Sequence, residues 1–319
     1  MMPFFSKLVL TIFISIAIGI AISIITGKPT KVIFTDLRQE FGLQKKPKVI
    51  ESIIEKAIDG QDGEYAFYIE DMIDGEQFGL NHEASFKTGS LYKLLLLAAT
   101  LRAIEDGRLK MDTVISSNKT HLKEVFGGVD FGYEEAAEDI SYTVEEAINR
   151  IATNSDNFAA ITLTEKVRGS LVSGDALQSQ ANDLGLENTY FGDDLPTTTA
   201  KDIGIFFKKL YRGEVVSQAS SEKIIDVLSK SRINNRIPAL LPGEIEEKIG
   251  TDSAKKIALK IAHKTAELPR LRHDAGIVFL SNRPYIIVMM SKELKYEDDG
   301  IELLAKISKD VFEYFNTKN

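Results

Sequence analysis

Apolar residues recur along this chain with two different spacings, and the spacing changes from one stretch to the next. Helical spacing, with apolar side chains three and four positions apart, is found in 49–58, 142–152, 155–167, 200–211 and 301–315. Short runs that are typical of strands occur at 66–69, 76–80, 257–265, 275–280 and 285–291. Turn signals separate neighbouring strands at Asp74-Gly75 and at Asn282-Arg283-Pro284.

The order of these elements predicts an α/β (α+β) fold. Two early and three late strands suit one antiparallel five-stranded sheet flanked by helices. The helix-rich middle then forms an inserted all-helical lobe, 90–249, between the two parts of a sheet lobe, 49–89 and 250–319. We therefore expect 49–319 to form one domain, preceded by a tether at 28–48.

The N-terminal segment 1–27 contains an uncharged and almost wholly apolar run from Leu8 to Ile25. The run is long enough to cross a bilayer and longer than the usual apolar core of a signal peptide, about 7–15 residues. No cleavage site of the A-x-A type follows it. We therefore predict an uncleaved N-terminal transmembrane helix, with a cleaved signal peptide as the alternative. Positive charges on both sides leave its orientation open.

Composition excludes several classes of protein. With no cysteine in 319 residues, the chain has no disulfide, thiolate metal site or thiol nucleophile. A formal charge of −8 without a basic, aromatic-rich stripe argues against a nucleic-acid partner. The 4 histidines show no ligand spacing with carboxylates, and no Gly-rich phosphate loop is present, so we expect no metal and no cofactor.

A serine followed three residues later by a lysine occurs often by chance. The surrounding sequence must therefore show which of these pairs is a candidate for catalysis. Three of these pairs lie in polar stretches, at Ser116, Ser220 and Ser253. Ser90 and Lys93 instead begin an apolar helix and share one face at its buried start. A serine hydroxyl needs a base within hydrogen-bond reach, and a lysine with a lowered pKa can serve. A serine that only caps the helix is the alternative.

Two further motifs follow along the chain. Ser155-Asp156-Asn157 lies between two predicted helices, and a tripeptide of this kind is rare by chance. Its alternative interpretation is a helix cap. Lys264-Thr265-Ala266 lies at the end of a strand-like run. The literal Lys87-Thr88-Gly89 directly precedes Ser90 and cannot also flank it from a later strand.

The three motifs, in this order, resemble the signature of class A β-lactamases and penicillin-binding proteins. The segments Arg236 to Pro242 and Arg272 to Ile277 are also similar to class A text, and the resemblance covers about residues 49–316. It implies a β-lactamase/transpeptidase-like fold. It also implies that the substrate is a β-lactam or a peptidoglycan stem peptide. Together with the predicted N-terminal anchor, we expect a membrane-anchored, monomeric catalytic domain on the extracytoplasmic side.

The resemblance implies catalytic roles for the matched residues. Ser90 would be acylated by a β-lactam or an acyl-D-Ala-D-Ala carbonyl, with Lys93 as proton acceptor. Ser155 would pass a proton to the leaving nitrogen, and Asn157 would hold Lys93 and the substrate. The backbone N–H groups of Ser90 and Glu267 would form the oxyanion hole.

The resemblance also implies a substrate-binding strand. Lys264 and Thr265 would meet the substrate carboxylate, together with Arg270 or Arg272. Ala266 replaces the glycine that is usual in the family, and we expect its methyl group to narrow the site.

A second departure from the family affects deacylation. Class A enzymes have an Ω-loop glutamate that activates the deacylating water, and the segment 184–202 contains no matching motif. Glu187, Asp193 or Asp194 could substitute. Three functions therefore remain open: a class A-like β-lactamase, a cell-wall D,D-peptidase or transpeptidase, and a non-catalytic sensor of β-lactams or peptidoglycan.

Overall fold

The computed structural model describes residues 49–317 apart from 119, 123, 125–138, 170–174, 193–194, 250–252 and 282. In chain order the described helices are α1 (Val49–Ile58), α2 (Tyr92–Glu105), α3 (Val144–Asn154), α4 (Asn157–Gly169), α5 (Ala176–Asp183), α6 (Ala200–Tyr211), α7 (Gln218–Leu228) and α8 (Glu297–Thr317). The strands are β1 (Glu64–Asp71), β2 (Gln77–Leu80), β3 (Phe86–Lys87), β4 (Val114–Ser117), β5 (Ile140–Thr143), β6 (Thr197–Thr198), β7 (Glu244–Ile249), β8 (Ser253–Ala258), β9 (Lys260–Leu268), β10 (Leu271–Phe279) and β11 (Tyr285–Lys292). A 3₁₀ turn, Gly89–Leu91, directly precedes α2.

Five of these strands form one antiparallel sheet in the order β2-β1-β11-β10-β9. The predicted antiparallel five-stranded sheet is therefore confirmed, and β9 lies at one edge of it. Ala266 on β9 faces His273 on β10, and Thr265 faces Asp274. Because an edge strand has backbone groups that no neighbouring strand uses, β9 can bind other partners along its outer side.

Helices cover both faces of the sheet, as the alternation of side chains along β1 shows. Ala66 and Tyr68 belong to the larger core, which also contains α2. Tyr65, Phe67 and Ile69 belong to the second core, which contains residues of α1 and α8. Successive side chains of a strand point to opposite faces, so the strand supplies both cores.

Helix α2 lies inside the larger core. Its residues 93–101 are all buried, Lys93 among them. A helix that is apolar around its whole circumference must be surrounded by protein. The start of α2 is therefore buried, and this explains how a lysine two positions into the helix loses its contact with water.

Two predicted elements are divided in the structure. The strand-like run 257–265 belongs to two strands, because β8 ends at Ala258 in a separate hairpin with β7. The helix predicted over 142–152 begins only at Val144, because 140–143 pair with β4. Thr143 and Glu146 then form a capping box at the helix start. In both segments the local pattern identified the apolar residues correctly, but it did not show with which strand each segment pairs.

The predicted anchor 1–27 and tether 28–48 lie outside the described residues. Within the described part of the chain, no helix combines the length and the apolar character needed to cross a membrane. Contacts between Cα atoms group residues 50–319 into one unit. The proposed bounds of a sheet lobe and a helical lobe stay a prediction.

Candidate active site

The turn before α2 places Ser90 at the surface end of a buried helix. Ser90 is partly exposed, whereas Leu91 and Lys93 are buried. The residues at the caps of the turn and the helix, Thr88 and Leu91, make no side-chain cap hydrogen bond. Ser90 is therefore not the cap of α2, and the alternative interpretation of this serine is wrong.

The turn is held close to β9 by Gly89. Gly89 has a φ of +47°, and a methyl group placed on it would lie 3.1 Å from the Cβ of Ala266. Positive φ and close approach both favour glycine here. The methyl group of Ala266 thus faces the turn and is buried. The expectation that this methyl group narrows the substrate site stays a prediction.

The tripeptide 155–157 joins α3 to α4. Ser155 ends α3 in the left-handed conformation, with a φ of 55°. The carboxylate of Asp156 accepts from Ala159 N at 2.9 Å and from Arg150 Nε at 2.8 Å, so it caps α4. The cap interpretation therefore holds for Asp156 alone.

Lys93 connects α2 to this tripeptide. Its ammonium nitrogen lies 2.6 Å from Ser155 O, 2.6 Å from Asn157 Oδ1 and 3.2 Å from Ser155 Oγ. The side chain of Lys93 is buried. Two carbonyl oxygens thus fix the amine, and the serine hydroxyl lies within reach of it.

A second lysine reaches the same hydroxyl from β9. Lys264 Nζ donates to Ser155 Oγ at 2.8 Å and to Thr265 O at 2.8 Å. Burial, and next the positive charge of Lys93, lowers the pKa of the Lys264 ammonium well below its usual range. Because the two buried amines lie beside the same hydroxyl, their positive charges repel each other. This repulsion favours a state in which one of the two lysines is neutral.

Arg236 adds a third cationic group to this end of β9. Its side chain is fully buried, and its Nη2 donates to Glu267 Oε1. Its charge is one of those that lower the pKa of Lys264. Burial alone would raise the pKa of Glu267, but the hydrogen bond and charge of Arg236 lower it overall. The carboxylate of Glu267 is therefore ionised at neutral pH.

The two arginines expected at the substrate carboxylate have other partners. Arg272 donates to Leu268 O at 2.8 Å and to Leu271 O at 2.7 Å, and it forms an ion pair with Glu297. Arg270 donates to Leu294 O at 3.1 Å. Arg236, rather than Arg270 or Arg272, is the arginine whose charge lowers the pKa of Lys264.

Asp274 on β10 stabilises the backbone around these cations. Its Oδ1 lies 2.9 Å from His263 Nδ1, and its Oδ2 accepts from Ile237 N at 2.9 Å. His263 directly precedes Lys264, and Ile237 directly follows Arg236. One buried carboxylate thus fixes both chain segments that supply a cation.

The segment 184–202, where the Ω-loop glutamate is missing, is attached to the residues before Ser90. Tyr190 and Thr197 pair across its base, and Thr88 N donates to Pro196 O at 2.8 Å. Asp193 and Asp194 lie outside the described residues. Glu187 is exposed, and its charge acts on Lys201 and Asp202 at the end of the segment 184–202.

Asp202 is a buried carboxylate at the base of this loop. It accepts from Asn188 N at 2.8 Å and from Thr189 Oγ1 at 2.8 Å. Burial raises its pKa above the usual range, although the two hydrogen bonds act in the opposite direction. Neither Asp202 nor Arg236 was named from the sequence as a candidate site residue. For Arg236 a signal was present, because the segment Arg236 to Pro242 is similar to class A sequences.

The predicted site residues fall into two groups in space. Ser155, Asn157, Lys93 and Lys264 are brought together by direct hydrogen bonds, and Gly89 brings the turn with Ser90 against β9. Arg272 lies opposite Glu267 on β10, but its guanidinium is bound by backbone carbonyl oxygens and Glu297. Among the described residues, no cluster of three or more His, Asp and Glu side chains could hold a metal ion.

Comparisons with known proteins agree with this geometry. A family model described as the beta-lactamase enzyme family matches residues 48–315. An imipenem-hydrolyzing beta-lactamase of Enterobacter cloacae is 23% identical over 289 residues, covering 85% of this chain and 91% of that protein.

Solved structures show the same fold. PBP-A has a TM-score of 0.69 at 22% identity, covering 84% of this chain and 96% of that one. A mutant of PBP-A has been solved as an acyl-enzyme complex with penicillin G, with a TM-score of 0.68, 22% identity and the same coverage. A beta-lactamase from Sphaerobacter thermophilus has a TM-score of 0.69 at 18% identity, covering 84% of this chain and 97% of that one.

Proposed function

The chain belongs to the beta-lactamase enzyme family, and on this premise we propose that Ser90 is the nucleophile of a class A-like serine hydrolase. The acyl donors would be β-lactams or acyl-D-Ala-D-Ala peptides. One observation supports this most directly: the Ser155 hydroxyl lies 2.8 Å from the Lys264 amine and 3.2 Å from the Lys93 amine. Such an arrangement suits proton transfer in acyl transfer.

The proton path follows from these contacts. Lys93, three residues after Ser90 in the adjoining turn, takes the Ser90 proton when its amine is neutral. The carbonyl oxygens of Ser155 and Asn157 orient that amine. The Ser155 hydroxyl then passes a proton to the leaving nitrogen, and Lys264 stabilises the charge that develops on this hydroxyl.

The charge on the attacked carbonyl oxygen needs separate stabilisation. The backbone N–H groups of Ser90 and Glu267 are our candidates for the oxyanion hole. The turn lies against the edge strand β9, since a methyl group on Gly89 would lie 3.7 Å from Glu267 N. The substrate carboxylate would bind near Thr265, attracted by Lys264 and Arg236.

A second function is favoured by the segment 184–202, which lacks the glutamate motif of the family. Rapid hydrolysis of the acyl-enzyme needs a base within about 3 Å of the attacking water, and the family's glutamate is missing from this segment. We therefore propose slow deacylation. A D,D-peptidase or transpeptidase that passes its acyl group to another acceptor fits this behaviour, as does a sensor of β-lactams.

Timed mass spectrometry with penicillin G tests the acylation step. We expect one covalent adduct on the wild-type protein and none on Ser90→Ala. Ser220→Ala is a matched control, because Ser220 belongs to another Ser-x-x-Lys pair and its hydroxyl donates to Glu105 at 2.6 Å. An adduct that survives Ser90→Ala would refute the proposal.

The lifetime of the adduct and nitrocefin turnover decide between the two functions. Persistence of the adduct over hours, with one equivalent of drug consumed, supports the peptidase or sensor. Sustained turnover that is lost in Asp193→Asn or Asp194→Asn supports the β-lactamase. Turnover that stays the same in Asp193→Asn, in Asp194→Asn and in Glu187→Gln would contradict our interpretation of the segment 184–202.

We further propose that Leu8 to Ile25 anchors the protein and that the catalytic domain acts on the extracytoplasmic side. The length of the apolar run and the proposed substrates support this location. Fractionation of cells, followed by protease treatment of intact cells, tests it. Recovery of the full-length protein in the soluble fraction would refute the anchor.

A further inference from the structure

Arg236 is bound to a single carboxylate in a site that must accept another one. Its side chain has no exposed surface, and its Nη2 donates to Glu267 Oε1. Its Nε and Nη1 atoms are buried and have no hydrogen-bond partner among the described residues. A guanidinium has five N–H donors in a fork that matches a carboxylate. Arg236 therefore keeps unused capacity for an anion.

Glu267 is the accessible member of this pair. Its side chain is 51% exposed, whereas that of Arg236 is 0% exposed. The charges of Arg236, Arg272 and Lys264 all favour its ionised form. The cationic end of β9 thus already contains a carboxylate, supplied by the residue that follows Ala266.

We propose that Glu267 is a specificity-determining residue that competes with the carboxylate of the acyl donor for Arg236. This inference rests on the proposed acylation of Ser90 and concerns the substrate class of the same site. In the free protein, Glu267 accepts a hydrogen bond from Nη2 of Arg236 and repels a second anion. Acyl donors with a free carboxylate beside the scissile amide still bind, but less tightly than they would without Glu267, whereas donors neutral at that position are not weakened.

The chemistry of the pair separates this role from a purely structural one. In Glu267→Gln the amide oxygen can still accept the Arg236 hydrogen bond, so the buried guanidinium keeps its partner. Only the negative charge is lost. Two charges of the same sign at about 6 Å, with an effective dielectric constant near 20, repel each other enough to change binding at least tenfold.

The experiment compares two acyl donors that differ only in charge. Acylation by penicillin G and by its methyl ester is measured by stopped-flow and mass spectrometry, and binding and acylation constants are separated. The variants are Glu267→Gln, Glu267→Ala and a matched control, Glu64→Gln. Glu64 is an exposed acid paired with Lys292 at 3.0 Å on β1 and β11, so its replacement makes the same change in net charge.

We expect the affinity for penicillin G relative to its methyl ester to rise at least tenfold in Glu267→Gln and to keep the wild-type value in Glu64→Gln. An unchanged or weaker affinity for penicillin G would overturn the inference. An equal gain in affinity for penicillin G and for the ester would also overturn it, because the effect would then not depend on the charge of the substrate carboxylate.

A measurement without acylation keeps this inference separate from the proposed nucleophile. Equilibrium binding of penicillin G to Ser90→Ala, with and without Glu267→Gln, reports on the carboxylate alone. Tighter binding in the double variant supports the competition even if the wild type forms no adduct, which would refute the proposed function only. Equal binding in both proteins overturns the inference.

Discussion

His273 connects the sheet to the segment that contains the proposed nucleophile, and replacing it should remove a large part of the acid sensitivity of the fold. Ser291 N donates to His273 Nδ1 at 3.1 Å. The proton therefore lies on Nε2, which donates to Lys87 O at 3.0 Å, three residues before Ser90. Both contacts require a neutral imidazole, because a protonated Nδ1 can no longer accept.

The magnitude follows from the pKa of this ring. Burial lowers the pKa of His273 from 6.5 to about 4, and the charge of Arg236 acts in the same direction. A shift of this size corresponds to about 3 kcal/mol. Since the folded pKa lies below the unfolded one, the unfolded chain binds the extra proton as the pH falls. Stability is therefore lost from pH 6.5 downward, about 2 kcal/mol of it between pH 7 and pH 5.

The perturbation is His273→Gln, whose side-chain amide can still donate to Lys87 O but does not titrate. At pH 7 we expect the variant to be less stable by about 1 kcal/mol, because Ser291 N loses its acceptor. Urea unfolding at pH 7, 6 and 5, followed by circular dichroism, gives the difference from the wild type at each pH. The difference should vanish or change sign by pH 5.

A second histidine provides the control. The hydrogen bond from His121 to Glu165 raises the pKa of His121, which is exposed. Its contribution is present at low pH and is lost as the pH rises, so His121→Gln should change the pH dependence in the opposite direction. A stability difference between wild type and His273→Gln that stays constant from pH 7 to pH 5 would refute the reasoning.

Three further predictions concern the site. Lys93→Arg should acylate as slowly as Lys93→Ala, since a guanidinium does not release its proton at working pH; a near-normal stopped-flow rate would show that charge suffices. Gly89→Ala should lower the free energy of unfolding by about 2 kcal/mol through positive φ and contact with Ala266, and Ala266→Gly in the same chain should restore part of it in urea unfolding. Asp202→Ala should cost about 2–3 kcal/mol by removing two hydrogen bonds at the loop base, whereas Asp202→Asn should cost clearly less by the same assay; equal losses would argue against those bonds.

The sequence alone predicted the features that depend on neighbours in the chain. The apolar run after Lys93 predicted a central helix, and short runs bounded by turn signals predicted most strands of the sheet. The order of the three motifs was sufficient to identify the family. Residues three or four apart on a helix, and two apart on a strand, share a face by geometry alone, so such patterns need no knowledge of the fold.

Tertiary structure decided which distant groups meet. Lys264 and Lys93 share the Ser155 hydroxyl because β9 and the α3–α4 junction pack against the same end of α2. The charge of Arg236 rather than that of Arg272 acts on Lys264, and the methyl group of Ala266 lies against Gly89. These outcomes depend on strand register and on long-range packing, where a shift of one residue turns a side chain to the opposite face. No local pattern encodes that register, so only the folded chain determines the chemistry at the end of β9.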